Sequence, residues 1–263
     1  MNINLSQKNA FVCGSSQGIG KAIAISLAKA GANVTLIARN KDRLKEVLSE
    51  LDSAGGQKHD LIVVDFADSD ALKKSVLDYI EQNNKTIHIL INNTGGPSGG
   101  PITEAGFEEF QKAINMHIVG NHILAQAVLP GMEKVAYGRI INITSTSIKI
   151  PIHGLGVSNT TRAAVAGWAK TLSNEVGGKG ITVNNVLPGK TFTERLKQII
   201  QYRADQANTD FESMAQIMRD RIPVGRFAEA EEIAAMVCFL ASSQASFVNG
   251  TSIRVDGGET GSI

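Results

Sequence analysis

A glycine-rich turn near the start of the chain has the residue types needed to bind a phosphate group. Gly14, Gly18 and Gly20 follow a short apolar run and precede a helical pattern. At such a position backbone N–H groups and the helix dipole converge on an anion, and glycines allow it to approach closely. A glycine-rich loop alone is weak evidence, since a plain tight turn is the default interpretation. Its place between a strand and a helix makes phosphate binding the stronger prediction.

A hydroxyl and a cation, Ser158 and Arg162, form a second group with chemical potential. They are four residues apart in a predicted helix, so their side chains share one face. A serine hydroxyl is far less acidic than that of tyrosine, whose pKa is roughly 10, and arginine does not release a proton near neutrality. Ser158 is therefore expected to be a poor direct acid.

The elements that must position these residues alternate between strands and helices. Short β-branched runs, apolar enough to be covered on both faces, predict seven strands. These runs are residues 10–13, 33–37, 61–64, 87–91, 139–143, 181–186 and 251–255. Helical patterns lie between them, including 107–129 and 160–177. The alternation predicts an α/β fold, with a single doubly wound parallel sheet of the Rossmann type flanked by helices on both faces, over one domain of residues 1–263.

One irregular stretch, from residue 190 to about residue 222, follows the sixth predicted strand. Its apolar residues are spaced as in two amphipathic segments. An insertion at the carboxyl end of a parallel sheet is a natural substrate lid, and an ordinary pair of surface helices is the alternative.

Several motifs, in the order in which they occur, resemble those of the short-chain dehydrogenase/reductase family, and most closely its 3-oxoacyl-carrier-protein reductases. They include the spacing of the three glycines, the segment Asn92-Asn93-Thr94-Gly95 and the ending Val255-Asp256-Gly257-Gly258. The resemblance implies an oxidoreductase that uses a nicotinamide cofactor. It implies cofactor contacts from Gly14, Ser16, Gln17, Gly18, Ile19, Gly20, Arg39, Asp65, Phe66, Asn92, Gly95, Arg162, Pro188, Gly189, Thr191 and Thr193.

The same resemblance implies four catalytic positions. In the family a Tyr donates a proton to the substrate, a Lys four residues later lowers the pKa of that Tyr, a Ser orients the substrate and an Asn anchors a water relay. The Asn falls at Asn115 and the Ser at Ser145, with Ser147 as second choice because it gives the wrong interval. Thirteen residues after Ser145 the Tyr position holds Ser158, and the Lys position holds Arg162.

The choice between the two nicotinamide cofactors depends on the end of the second strand. An acid there would bind both ribose hydroxyls of NAD and repel the extra phosphate of NADP. This chain has Arg39 instead, so NADP(H) is favoured over NAD(H). A solvated arginine beside Lys41 and Arg43 is the alternative interpretation.

Three functions are compatible with the substituted pair. In the favoured one, carbonyl and alcohol are interconverted by hydride transfer, with the proton supplied by water held at Ser158, Asn115 and Arg162, or by His153 or Tyr202. In the second, the protein is a catalytically impaired NADP(H)-binding sensor or interaction protein. In the third, Arg162 stabilises a developing oxyanion in different chemistry on an activated substrate.

The family resemblance implies a small carbonyl or alcohol substrate, and composition gives no sign of a macromolecular partner. Lysine and arginine number 26 against 25 acids, and a net charge of +1 indicates neither nucleic acid nor an anionic membrane as a partner. No secretory signal or membrane span is recognised, so a cytoplasmic protein is expected. Two distant cysteines predict neither a disulfide nor a metal site.

The family resemblance implies a homotetramer, or a dimer. Four arginines of the lid segment could meet a substrate carboxylate, or belong to a solvated helix face: Arg195, Arg203, Arg219 and Arg221.

Overall fold

One parallel β-sheet forms the centre of the molecule. The computed structural model describes residues 3–262, and in this range the strand order is β3-β2-β1-β4-β5-β6-β7. The strands are β1 Asn9–Cys13, β2 Asn33–Ala38, β3 Asp60–Val63, β4 Ile89–Asn92, β5 Gly138–Ile143, β6 Ile181–Pro188 and β7 Ser252–Val255. All neighbouring pairs are parallel. The strand order reverses between β1 and β4, and in such sheets ligands bind outside the carboxyl ends of the strands at that point.

Helices cover both faces of the sheet, which confirms the predicted doubly wound fold. They are α1 Gly18–Lys29, α2 Lys41–Glu50, α3 Ser69–Asn83, α4 Phe107–Ile114, α5 Gly120–Lys134, α6 Gly156–Val176, α7 Glu194–Gln206, α8 Phe211–Arg219 and α9 Ala230–Ala241. Helices α1, α2 and α9 bury apolar residues against one face. Helices α3, α5 and α6 do so against the other. None of the helices within residues 3–262 is both long and apolar enough to cross a bilayer.

The helix predicted over 107–129 is interrupted in the structure. A π-helical segment, Asn115–Val119, separates α4 from α5, and α5 continues beyond the prediction to Lys134. The Gly120 N–H donates to the carbonyl of Asn115, five residues earlier. The spacing of apolar residues did not reveal this wider turn, because a π-helical turn adds one residue without ending the helix. The bulge begins at Asn115, and such bulges are frequent at functional sites.

The segment 190–222 contains the two predicted amphipathic elements, α7 and α8. Their apolar faces form a small core of their own, with Leu196, Ile200 and Met218 among its buried residues. The pair of helices α7 and α8, called the hairpin below, is thus held together by its own packing. This small core is separate from the two apolar clusters that cover the faces of the main sheet.

A row of amide side chains crosses the sheet where the sequence predicts apolar strands. The Asn92 amide donates to Asn142 Oδ1 at 2.8 Å, the Asn142 amide to Asn185 Oδ1 at 2.9 Å, and the Asn185 amide to Ser252 Oγ at 3.0 Å. The three asparagines are at most 4% exposed. Because each buried amide needs a partner, the row ties β4, β5, β6 and β7 to one register.

Candidate active site

The predicted phosphate site is a tight turn between β1 and α1. Gly14 and Gly18 have φ angles of 58° and 55°, in the left-handed region that favours glycine. A Cβ on Gly20 would lie 2.2 Å from the Gly14 carbonyl oxygen, so no side chain fits there. The Gln17 side chain at the helix N-cap makes no bond to the first turn of α1. The free N–H groups and the closely packed glycines fit the phosphates of a dinucleotide.

Residues from two other strand ends meet this turn. Asn93 Nδ2 donates to the carbonyls of Cys13 and Gly14 at 3.2 and 3.3 Å. The Thr193 methyl group would lie 3.4 Å from a Cβ on Gly18. The turn, the β4 end and the segment after β6 are therefore neighbours, as the family resemblance implies. Ser16 and Ile19, two further predicted contacts, are half-buried in the same turn.

A cationic patch lies beside the turn at the ends of β2 and β3. The Arg39 side chain is 76% exposed, and its Nη1 is 3.8 Å from Asp65 Oδ2. Arg43 Nη1 donates to Gln17 Oε1 at 2.6 Å. Arg39 is thus held only loosely by an acid and is accessible to an anionic ligand. The Phe66 side chain is buried in the core beneath, so a cofactor contact from this residue would come from its backbone.

The segment after β6 is shaped by close packing. A Cβ on Gly189 would lie 2.7 Å from Asp256 Cα, which explains the glycine after Pro188. Thr191 pairs with Ala228 in an isolated parallel bridge. Thr193 Oγ1 accepts the Leu196 N–H at 3.4 Å and caps α7. The hairpin therefore begins directly beside the predicted cofactor contacts.

Asn115 and Ser145, two of the predicted catalytic residues, are only half-buried. Asn115 Oδ1 accepts a bond from Gln111 Nε2 at 3.1 Å. Ser145 follows β5, and its Oγ accepts the Ser147 N–H at 3.1 Å, so its own proton remains available for donation. Ser147 Oγ, by contrast, is buried with no hydrogen-bond partner among the described residues.

Ser158 and Arg162 are in direct contact. Arg162 Nε donates to Ser158 Oγ at 3.2 Å, and Nη1 donates to the carbonyls of Ile143 and Thr144 at 3.3 and 3.0 Å. These bonds use three of the five guanidinium N–H groups. The remaining two are on Nη2, which would lie 3.4 Å from a Cβ on Gly96. Burial lowers the pKa of Arg162 to about 10, so it remains charged at neutral pH.

No carboxylate within residues 3–262 pairs with Arg162. Among the described residues, its positive charge is stabilised by hydrogen bonds to neutral groups, namely two backbone carbonyls and one hydroxyl. A desolvated cation of this kind attracts an anion or a developing negative charge more strongly than one already paired with an acid.

His117, which the sequence analysis overlooked, adjoins this pair. It is 3% exposed, its Nε2 lies 3.1 Å from the Gly95 carbonyl and its Nδ1 lies 3.0 Å from Thr161 Oγ1. Because a carbonyl only accepts, Nε2 carries the proton of the neutral ring. Burial, and secondly the positive charge of Arg162, lower the pKa of His117 to about 4. The hydrogen bond to the Gly95 carbonyl acts in the opposite direction and has a smaller effect. The imidazole thus anchors the Gly95 loop to α6.

Protonation of His117 is expected to destabilise the fold in mild acid. Its folded-state pKa of about 4 is below the usual 6.5, so its contribution is present above pH 6.5 and is lost as the pH falls toward 4. Between pH 7 and pH 5 this amounts to about 2 kcal/mol of the free energy of unfolding. His117→Gln should remove this share of the pH dependence, as measured by urea unfolding at both values.

His88 provides the comparison for this measurement. Burial lowers its pKa to about 4 as well, and it lies at the opposite end of β4 from the Gly95 loop. His88→Gln should also flatten the pH dependence, but without changing the predicted site. An unchanged pH dependence in His117→Gln would contradict the assignment of a neutral, buried imidazole.

The two alternative proton donors considered from the sequence are both solvent-exposed. His153 is exposed in the loop before α6, and Tyr202 is 65% exposed on α7. Neither has a hydrogen bond to Asn115, Ser158 or Arg162 in the part of the chain that the structure describes. No spacing motif indicated His117, since its partners come from the loop after β4 and from α6.

The chain is similar to known proteins in sequence over nearly its whole length. Residues 14–260 match the sequence profile of the family described as "Enoyl-(Acyl carrier protein) reductase". Gluconate 5-dehydrogenase of Gluconobacter oxydans is 33% identical over 99% of this chain and 97% of its own. The 3-oxoacyl-[acyl-carrier-protein] reductase of Pseudomonas aeruginosa is 32% identical over 97% and 98%.

A solved structure extends the similarity to the fold. L-Sorbose reductase from Gluconobacter frateurii, crystallised with NADPH and L-sorbose, is 32% identical, with a TM-score of 0.94 over 100% of both chains. The profile covers nearly the whole chain, and the relatives align from end to end. This chain belongs to the short-chain dehydrogenase/reductase family of oxidoreductases.

Proposed function

We propose that this protein is an NADP(H)-dependent oxidoreductase that interconverts a carbonyl compound and an alcohol, with Ser158 and Arg162 replacing the usual Tyr and Lys. The observation that carries the proposal is the Arg162 guanidinium. It contacts Ser158 and the carbonyls of Ile143 and Thr144, and its Nη2 donors have no partner within residues 3–262. A site that had lost its function would have no need to keep a half-buried cation, unpaired among the described residues, in this position.

The cofactor residues fit a phosphorylated dinucleotide. The turn at Gly14, Gly18 and Gly20 would hold the phosphates, and Arg39 would hold the additional phosphate on the ribose. Asn92, Gly95, Pro188, Thr191 and Thr193 lie at the carboxyl ends of β4 and β6, where the nicotinamide half is expected. NADPH, when bound, would supply a hydride to the substrate carbon.

Arg39 is expected to determine the cofactor preference. A well-formed contact between a guanidinium and a phosphate contributes roughly 1.5–3 kcal/mol, or about 10- to 100-fold in affinity. NADPH should therefore bind more tightly than NADH, and Arg39→Asp should reverse this order. Calorimetric titration of both cofactors measures the effect, with Lys41→Asp as a control for the general loss of positive charge. Equal affinity of the unmodified protein for both cofactors would refute this role.

The hydroxyl of Ser158 has an orientation suited to a proton relay. Because Ser158 Oγ accepts the Arg162 Nε–H, its own proton is free to be donated toward a substrate oxygen or a water. Ser145 has the same property, since its Oγ accepts the Ser147 N–H. The proton that a serine passes on must be replaced from water, and we assign the holding of that water to Asn115. Arg162 Nη2 would stabilise the negative charge that develops on the substrate oxygen.

The test is a screen of ketones and aldehydes with NADPH, followed by absorbance of the reduced nicotinamide. With an active substrate, Ser145→Ala should lower kcat by about 10- to 100-fold while leaving NADPH affinity unchanged, because the hydroxyl is assigned to the substrate. If NADPH binds but no carbonyl compound is reduced, the sensor or interaction protein becomes the better assignment.

A further inference from the structure

The hairpin of α7 and α8 forms a cavity of about 360 Å³, open to solvent, that none of Asn115, Ser145, Ser158 and Arg162 lines. One wall is apolar and contains Met214, Ile217 and Met218. Ile217 is 47% exposed even though it belongs to this wall. Two arginines, Arg203 and Arg221, line the same cavity. The cavity thus combines apolar surface with positive charge.

The four arginines of residues 190–222 differ in whether they line the cavity and whether they already have partners. Arg219 is already engaged, because it pairs with Glu212 at 3.2 Å and lies over the Phe227 ring. Arg195 is exposed and does not line the cavity. Within residues 3–262, neither Arg203 nor Arg221 makes a side-chain hydrogen bond or an ion pair. Their donors are therefore available to a ligand in the cavity.

A third cation reinforces this charge. Lys190 follows Gly189 at the end of β6 and pairs with Glu259. Burial, and then the positive charges of Arg203 and Arg221, lower the pKa of Lys190 to about 8. Both arginines are thus close enough to repel the Lys190 ammonium, and Glu259, which pairs with Lys190, is the one acid paired with any of these three cations among the described residues. An anion between the two arginines would relieve this repulsion.

We propose that the cavity binds an aliphatic carboxylic acid, with the carboxylate between Arg203 and Arg221 and the chain against Met214, Ile217 and Met218. A guanidinium matches the two oxygens of a carboxylate, so two unpaired arginines suit this group. The apolar wall would contribute nothing to a hydrated inorganic anion, but removes an alkyl chain from water. The proposal concerns binding alone and does not depend on the proposed function.

Calorimetric titration with octanoate tests whether the two arginines bind the carboxylate of the ligand. Octanoate should bind more tightly than octan-1-ol or inorganic phosphate at the same ionic strength. The double variant Arg203→Gln with Arg221→Gln should bind octanoate at least tenfold more weakly. Arg195→Gln, which removes a nearby exposed arginine from the same helix, should bind it with unchanged affinity. Both altered positions carry solvent-accessible side chains, and thermal unfolding checks that the variants remain folded.

Methionine methyl groups report where the ligand binds. With ¹³C-labelled methionine, octanoate should shift the methyl resonances of Met214 and Met218 and leave that of Met236, on α9, unchanged. Binding that shifts Met236 instead would overturn the proposal. So would equal affinity for octanoate and octan-1-ol, phosphate binding as tight as octanoate, or unchanged octanoate affinity in the double variant.

Discussion

Replacing Arg162 with methionine is expected to lower kcat/KM for NADPH-dependent carbonyl reduction by about 10²- to 10³-fold, the usual effect of removing a donor aimed at a developing oxyanion. Among the described residues, the half-buried guanidinium is the one charged group that hydrogen-bonds with Ser158. Methionine is similar in length and apolar, so the cavity stays filled while both Nη2 donors and the charge disappear. Steady-state kinetics with a reducible substrate measures the loss.

Two controls separate catalysis from folding and binding. Methionine leaves Ser158 Oγ and the Ile143 and Thr144 carbonyls without the Arg162 donors. The free energy of unfolding should therefore fall by about 1–3 kcal/mol for each acceptor that water does not reach, and urea unfolding must show that the variant is folded under the assay conditions. Arg195→Met removes an exposed arginine and should leave turnover unchanged. Full activity in Arg162→Met would show that the guanidinium does not act on the reacting oxygen.

The double change Ser158→Tyr with Arg162→Lys, which restores the family's usual pair, is expected to lower activity on the native substrate by at least tenfold. Ser158 is 6% exposed and in contact with Arg162. A phenol ring would fill space that substrate or relay water needs, and overfilling a packed site costs about 1–3 kcal/mol. Lysine cannot reproduce the fork that holds Ser158, Ile143 and Thr144 together.

The same variant distinguishes a site in which Ser158 and Arg162 have catalytic roles from one in which the catalytic pair was lost. If Ser158 and Arg162 are remnants of a conventional reductase, the tyrosine restores an acid of suitable reach and the lysine lowers its pKa, so turnover should rise. Kinetics of both single variants and the double variant, at matched stability, give the coupling between the positions. A gain in turnover on the native substrate would contradict our assignment of roles to Ser158 and Arg162.

Features that depend on nearby residues were predictable from the sequence. The strands, the glycine turn and the two hairpin helices follow from periodicities of two and 3.6 residues and from glycine positions, which act within one element and its neighbours. The contact of Ser158 with Arg162 follows from one turn of helix. Cys13 and Cys238 are both buried free thiols, and burial raises the pKa of each.

Contacts between distant segments were decided only by the tertiary structure. His117 meets Gly95 and Thr161, which are 22 and 44 residues away in the sequence. The asparagine row joins four strands, although each asparagine by itself appears as a polar interruption in an apolar run. The four lid arginines have the same charge in the sequence, and only packing separates Arg219, which is paired, from Arg203 and Arg221, which are not. Local patterns specify the face that a residue occupies, whereas its partner depends on which segments the fold brings to that face.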